Sequence, residues 1–169
     1  FTAEEVFGYI PKEDKLRSVK SVHLLDWPKA VKEWDNPQIA EKFKMLVLLR
    51  PYVLKALEDL RGGGKIGSSL EARVILETTD DKRLAYLQEV REQLTAFFIV
   101  SQVEIRKTAQ LGKESLGADF PDIAVIIDTA SGKKCSRCWN HLDSVGRDKE
   151  HPTLCARCLN AIAQNDTKI

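Results

Sequence analysis

The sequence predicts an α+β protein made of a helical segment, a small mixed α/β unit and a small four-cysteine module. Apolar residues recur with helical spacing up to about residue 64, and β-rich runs around one helical stretch follow between 70 and 130. All four cysteines come after that point. We therefore place the three parts at residues 1–66, 67–131 and 132–169.

The helical segment opens with a short helix. In FTAEEVFGYIP, Thr2 and Glu5 have the spacing of a capping box, and Pro11 ends the run. The next stretch, SVKSVHLLDWP, is predicted to be extended because a proline disfavours helix in the residue before it.

The strongest helix signal begins at Asn36 and Pro37, which suit a cap and a first turn, and ends at the triple glycine 62–64. Pro51 lies in its middle and should kink this helix or split it into two. The predicted apolar stripe is Ile39, Phe43, Leu46, Val47, Leu54, Leu57 and Leu60.

The middle unit is predicted to have three strands and one helix. EARVILE alternates like a strand, with Ala72, Val74 and Leu76 on one face. DDKRLAYLQEVREQL has helical spacing, and FFIVSQVEIRK and DIAVIIDTA are β-rich runs.

Composition narrows the class of protein. The chain has 169 residues, 43% of them hydrophobic, and a net charge of +1, so overall charge does not indicate nucleic-acid binding. We see no signal peptide and no apolar run near the ~20 residues of a membrane span, and we expect a cytoplasmic monomer that contacts no membrane. Since the chain opens on Phe1 inside a predicted helix start, we interpret it as processed or as a fragment of a larger protein.

The four cysteines form two C-x-x-C pairs, Cys135 with Cys138 and Cys155 with Cys158, separated by sixteen residues. Two such turns can supply the four soft ligands of a tetrahedral zinc ion, and this spacing is typical of structural zinc ribbons and knuckles. We expect the spacer to run out and back as a short hairpin.

Other cysteine chemistry fits less well. A redox site wants one C-x-x-C at a helix start after a strand, and iron–sulfur ligands are usually more clustered along the chain. His141 and His151 are possible ligands, but with four cysteines present they are more simply surface residues. A four-cysteine shell is closed to water, so it favours one structural zinc over a catalytic one.

The basic excess of the chain lies in the same segment, where residues 131–158 carry six Lys/Arg against three acids. Lys134, Arg137 and Arg157 can compensate the −2 charge of a zinc–tetrathiolate cluster or contact nucleic acid, with neither use favoured by charge alone. Trp139 can shield the metal or stack on a base, and its position beside Cys138 by itself favours shielding.

No catalytic residues are predicted. RGGGKIGSS suggests a phosphate-binding loop, but Asp59 stands at the first glycine position of that motif and Ile66 at its Ser/Thr position. Glu4, Glu5, Asp80 and Asp81 are more plausibly helix-start acids than an acid/base pair.

Several segments resemble the C-terminal part of bacterial-type isoleucyl-tRNA synthetases. CSRCW, VG and HPTLCARC resemble the zinc module of that family, and RPYVLKALEDLRGGGKIGSSLEARVIL resembles the end of its helical anticodon-binding domain. FTAEEVFGYIP and SVHLLDWP resemble the segments just before it, whereas the resemblance is weak between about 80 and 130. Pro51 departs from the family pattern.

The resemblance implies a parent class I synthetase that ligates isoleucine to its tRNA with ATP. Both ATP-site signatures of the family are absent here, so ATP would bind only in a catalytic domain that this chain lacks. The partners would be the anticodon arm of isoleucine-accepting tRNA and the remainder of the parent synthetase. In the family the Arg and Trp of C-x-R-C-W are associated with anticodon-side contacts, which favours Arg137 and Trp139 as RNA contacts.

Two other functions stay open. The zinc-hairpin end of base-excision DNA glycosylases uses nearly the same cysteine spacing to hold duplex DNA, but a helical segment precedes it, whereas an α+β unit is predicted here. A structural zinc knuckle that packs on the parent without touching RNA is the other alternative.

Overall fold

A computed structural model describes residues 1–12 and 14–166. By internal contacts the chain divides into two units, Phe1–Lys42 and Phe43–Ile169, which are described separately. The predicted boundaries at 66/67 and 131/132 stay predictions, and residues 167–169 of the predicted polar tail lie outside the described residues.

The first unit contains two short helices, α1 (Thr2–Tyr9) and α2 (Asp14–Arg17), and two 3-10 turns, Val22–Leu24 and Lys32–Trp34. Thr2 is the first helical residue and Phe1 the N-cap, so the predicted capping box at Thr2 is wrong by one position. The 3-10 turn at Val22–Leu24 also interrupts the stretch predicted to be extended, because the Ser21 hydroxyl accepts a hydrogen bond from the His23 amide and caps the turn.

The longest helix, α3 (Pro37–Gly62), begins where the sequence predicts. Asn36 caps it, with the Ile39 amide donating to Asn36 Oδ1 at 3.1 Å. The helix continues through Pro51, so the predicted alternative of two helices is wrong.

The buried face of α3 differs from the predicted stripe. Its buried residues have the spacing i, i+3, i+7 and i+11: Leu46, Leu49, Val53 and Leu57. Val47 and Leu54 are exposed because they lie on the flank of that face. Ile39 is exposed in the first turn of the helix, seven residues before the first buried residue, Leu46. The sequence pattern therefore located the helix and mixed two adjacent faces.

The second unit is built on a three-stranded sheet of β1 (Ala72–Thr78), β2 (Gln102–Lys107) and β3 (Ile123–Thr129), in the order β2-β1-β3. β1 pairs with β2 in parallel and with β3 in antiparallel orientation. The parallel pair needs a crossover, which α4 (Asp81–Glu89) and α5 (Arg91–Phe98) provide. The prediction of an α+β fold is confirmed.

Two details of this unit depart from the prediction. The single predicted helix is divided at Val90, which ends α4 and caps α5. Phe97 and Phe98 close α5 instead of opening a strand, and Ile99 follows in the left-handed region with φ 58°. Phe98 is fully buried in the core, so tertiary packing outweighs the β preference of this run.

The core lies on one face of the sheet. Ala72, Val74 and Leu76 are fully buried, as the alternation of EARVILE predicts, and they pack in one cluster with the buried face of α3 and with Leu87 and Leu94 of the crossover helices. On the opposite face Arg73 pairs with Asp128 at 2.7 Å. None of the described helices is long and apolar enough to cross a membrane.

The remaining elements follow β3 and form the cysteine module. They are the short strands β4 (Lys133–Lys134) and β5 (His141–Leu142), which pair antiparallel, and the helix α6 (Ala156–Asp166). The hairpin therefore encloses the first C-x-x-C pair, and the predicted hairpin in the spacer between the pairs is not formed there. Gly132 enters the module at φ 83°, with its Cα so close to Leu142 that a Cβ would lie 2.4 Å from that residue's carbonyl carbon.

Candidate metal centre

The first cysteine turn is closed by backbone hydrogen bonds within the segment that connects β4 and β5. The Cys135 amide donates to the Asn140 carbonyl and the Trp139 amide donates to the Cys135 carbonyl, both at 2.9 Å. This tight turn requires Trp139 to adopt φ 66°, in the left-handed region. It brings the sulfurs of Cys135 and Cys138 to one side of the turn.

The second cysteine pair lies at the start of α6, with Cys155 just before the helix and Cys158 in its first turn. The Ser136 amide donates to the Thr153 carbonyl at 3.0 Å and joins the two turns. The Cys155 amide donates to Cys135 Sγ at 3.4 Å, across the centre.

The four sulfurs converge. All of them lie within 4.8 Å of one another, and Cys138 Sγ is 3.7 Å from Cys155 Sγ. Sulfurs bound at about 2.3 Å around a tetrahedral zinc ion lie about 3.8 Å apart, so this spacing fits the metal. Cys135, Cys155 and Cys158 are buried, Cys138 is half-buried, and all four are free thiols. Among the described residues neither His141 nor His151 belongs to the cluster.

The thiols do not all ionise readily by themselves. Burial raises the pKa of Cys135, but backbone amides of Cys138, Cys155 and Arg137 donate to its sulfur and bring the pKa down to about 6. Burial, followed by hydrogen bonds shared with neighbouring cysteines, raises the pKa of Cys155 to about 12. A divalent cation supplies the positive charge that holds such a set together as thiolates.

Two arginines approach the sulfurs from exposed positions. Arg137 Nη1 lies 3.8 Å from Cys158 Sγ. The Cys138 sulfur, hydrogen-bonded to the Arg157 side chain, raises the pKa of that guanidinium. Asn140 Nδ2, which sequence reasoning missed because no motif marks it, lies 3.7 Å from Cys138 Sγ.

Trp139, the residue after Cys138, is largely exposed. Its side chain is 61% exposed, and Lys134 Nζ lies over its ring at 5.5 Å from the centroid. Lys134 itself is exposed on β4. Of the four predicted contact residues, Arg137 and Arg157 therefore approach the sulfurs, whereas Lys134 and Trp139 form a cation–aromatic pair at the surface.

Comparison with protein families identifies this module. The family described as "Zinc finger found in FPG and IleRS" matches residues 132–161. The match and the cluster of four cysteine sulfurs together support one structural Zn²⁺, which confirms the predicted cofactor.

Curated relatives match nearly the whole chain. An isoleucine–tRNA ligase of Fervidobacterium nodosum is 38% identical over 99% of the chain and 17% of its own length. Those of Syntrophotalea carbinolica and Gloeobacter violaceus are 41% and 40% identical over 94% and 95% of the chain. The chain spans about a sixth of the length of these relatives, 16–17% in each case. Nearly the whole chain is therefore similar to one segment of isoleucine–tRNA ligases, and its cysteine module matches the zinc finger found in FPG and IleRS.

Proposed function

We propose that the chain works as part of an isoleucine–tRNA ligase and that its cysteine module contacts the anticodon arm of the tRNA. In this proposal the larger protein joins isoleucine to its tRNA with ATP in the cytoplasm. This chain supplies RNA contacts and contributes no catalytic group. The similarity to a sixth of the length of such ligases supports this division of labour.

Within the module, the ligands of the single zinc are assigned to Cys135, Cys138, Cys155 and Cys158. The sulfur–sulfur spacing and the burial of three of the four support this assignment. Four thiolates close the shell and leave no position for a water molecule, so the metal stabilises the module and activates nothing.

Trp139 carries the RNA-binding proposal. A non-glycine residue held in the left-handed region costs on the order of 1–3 kcal/mol, and such strain clusters at functional sites. Here the strain holds an indole that is 61% exposed beside the zinc shell. Because Lys134 lies over one face of the ring, an unpaired base can stack on the opposite face, and the ammonium can meet a neighbouring phosphate of the same loop.

Arg137 and Arg157 support a second candidate, a structural knuckle without RNA contact. Both guanidinium groups approach cluster sulfurs and offset the −2 charge of a zinc–tetrathiolate centre. Because both residues are exposed, the same groups can also meet phosphate oxygens, as they do in our proposal. A DNA-binding hairpin is the third candidate, since the matched zinc finger is also found in FPG.

Titration of the zinc-loaded chain with three labelled nucleic acids tests the proposal. These are the anticodon stem–loop of isoleucine-accepting tRNA, its acceptor-stem hairpin and a DNA duplex of equal length. We expect the anticodon stem–loop to bind most tightly. Equal or tighter binding of the DNA duplex would support the glycosylase-like alternative, and failure to bind any of the three would leave the structural knuckle.

A further inference from the structure

Ser101, immediately before β2, joins the sheet to the cysteine module. It is 6% exposed, and its hydroxyl donates to the carbonyl of Leu70 just ahead of β1. The same oxygen accepts a hydrogen bond from the His141 amide at 2.7 Å, at the start of β5. One hydroxyl thus satisfies a carbonyl near β1 and an amide of the module.

Gln102, the first residue of β2, makes a second set of contacts to both limbs of the hairpin. Its Nε2 donates to the carbonyl of Ser131 at 3.0 Å, just before β4, and to that of His141 at 3.3 Å on β5. Its Oε1 accepts from the Ser131 amide at 3.2 Å. One amide side chain therefore ties the entry and the return of the hairpin to the end of the sheet.

These contacts act close to the exposed indole. His141 follows Asn140, whose carbonyl accepts from the Cys135 amide and whose side chain reaches Cys138. Trp139 is the residue before Asn140, so the backbone anchored by Ser101 lies two residues from the ring. A buried serine often serves only to satisfy backbone groups. Here the satisfied groups belong to two separate parts of the fold, and Gln102 repeats the link.

We propose that Ser101 and Gln102 are positioning residues, which fix the direction of the zinc module on the sheet and thereby the place at which Trp139 meets RNA. The inference rests on the proposed function for its RNA half, whereas its structural half concerns this chain alone. A module free to reorient would have to be ordered when RNA binds, and that ordering weakens affinity.

Ser101→Ala and Gln102→Ala in the zinc-loaded chain test this, with Ser136→Ala as the matched control. Ser136 also has a hydroxyl in a hydrogen bond, to Thr153 Oγ1 at 3.0 Å, but that bond lies within the module. Backbone residual dipolar couplings give the direction of the module relative to the sheet. Native mass spectrometry gives the zinc content, and anisotropy gives affinity for the anticodon stem–loop.

We expect all three variants to keep one zinc. In the unsubstituted chain and in Ser136→Ala, one alignment tensor should fit the sheet and the module. In Ser101→Ala and in Gln102→Ala, the module should need a second alignment tensor. RNA affinity should fall by about fivefold in each, which is the order of the cost of ordering a segment on binding. Gln102 is only half-buried, so its variant keeps the test informative if Ser101→Ala fails to fold.

The proposal is overturned if one tensor still fits both parts, if zinc is lost, or if the module reorients with RNA affinity unchanged. Trp139→Ala, run alongside, separates the two claims. If this substitution leaves RNA affinity unchanged, the proposed function has failed. If Trp139→Ala weakens RNA binding and neither Ser101→Ala nor Gln102→Ala does, only the positioning proposal has failed.

Discussion

Substituting Trp139 by alanine and by glycine separates base stacking from a structural role of the side chain. Both changes remove the indole, which is 61% exposed, and both remove its contact with Lys134. They differ only in the Cβ atom, at a residue whose φ is 66°. The two variants should therefore differ in the stability of the module, whereas the loss of the ring is the same in both.

The difference in stability follows from the backbone. A Cβ in the left-handed region costs about 1–2 kcal/mol. Glycine avoids this cost, but the greater conformational entropy of its unfolded chain lowers the stability of the folded state by about 0.5–1 kcal/mol. We therefore expect the free energy of unfolding of the glycine variant to be about 1 kcal/mol larger than that of the alanine variant. Loss of stacking should lower RNA affinity by about 1–3 kcal/mol in both, or about 5- to 150-fold.

Three measurements on each variant give the answer: chelator competition for zinc, urea unfolding of the module, and anisotropy of a labelled anticodon stem–loop. Zinc affinity should change little, because no sulfur ligand is altered. Trp34→Ala is the matched control, since it removes another exposed indole, 82% exposed, outside the module. It should leave zinc and RNA binding unchanged.

Base stacking is refuted if RNA affinity follows the stability of the module across the two variants. If Trp139→Ala weakens binding and Trp139→Gly restores it, the indole acts through the fold of the module and makes no stacking contact. Unchanged RNA affinity in both variants would equally contradict the stacking proposal. Zinc that becomes labile in both would indicate that the ring shields the metal despite its exposure.

Three further predictions concern the module. Gly132→Ala should disrupt it, because the new Cβ would lie 2.4 Å from the carbonyl carbon of Leu142. Gly117 is also at positive φ but has open space around it, so Gly117→Ala should lower the free energy of unfolding by only about 1–2 kcal/mol. Thermal unfolding compares the two variants, and equal losses of stability would refute the steric argument. Arg137→Gln should reduce the slope of log K against log salt by about 0.7 if the guanidinium contacts a phosphate of the single-stranded loop; an unchanged slope with looser zinc would mean that it only offsets thiolate charge. Acidification should release zinc, since all four cysteines must be deprotonated to bind the metal and protons compete with it for the sulfurs. Zinc content after dialysis against buffers of decreasing pH measures this, and zinc retention that does not depend on pH would contradict the thiolate shell.

The cysteine spacing predicted the centre well because a C-x-x-C turn has few conformations. In the structure the Ser136 amide and the Thr153 carbonyl join the two turns, and the four sulfurs lie within 4.8 Å of one another. The path of the spacer could not be predicted in the same way. The hairpin forms around the first turn because residues at β4 and β5 pair across it, and short strands of two residues leave almost no pattern in a sequence.

The alternation around Val74 predicted β1 and the face that packs on α3, since every second residue of a strand lies on the same face. The division of the crossover helix at Val90 and the end of α5 at Phe98 were missed. Both depend on packing: Phe97 and Phe98 meet edge to face at 5.5 Å, and their β preference is outweighed by burial in the core. Local propensity carries no information about such partners.

The joint at Ser101 and Gln102 was also invisible in the sequence. Its hydrogen bonds link Ser101 to His141, forty positions away, and no spacing rule connects residues so distant. The exposure of Trp139 could not be predicted either, because shielding and stacking use the same residue in the same place. The exposed fraction of the indole bears on this choice, and only coordinates give it.

The most direct test of the central claim is photo-crosslinking of the zinc-loaded chain to isoleucine-accepting tRNA carrying 4-thiouridine in the anticodon loop. Mass spectrometry of the digested complex identifies the linked peptide. The account predicts a crosslink in the tryptic peptide that runs from Cys138 to Arg147 and contains Trp139, and its loss in Trp139→Ala. Crosslinks confined to peptides outside residues 132–161, or of equal yield with Trp139→Ala, would contradict it.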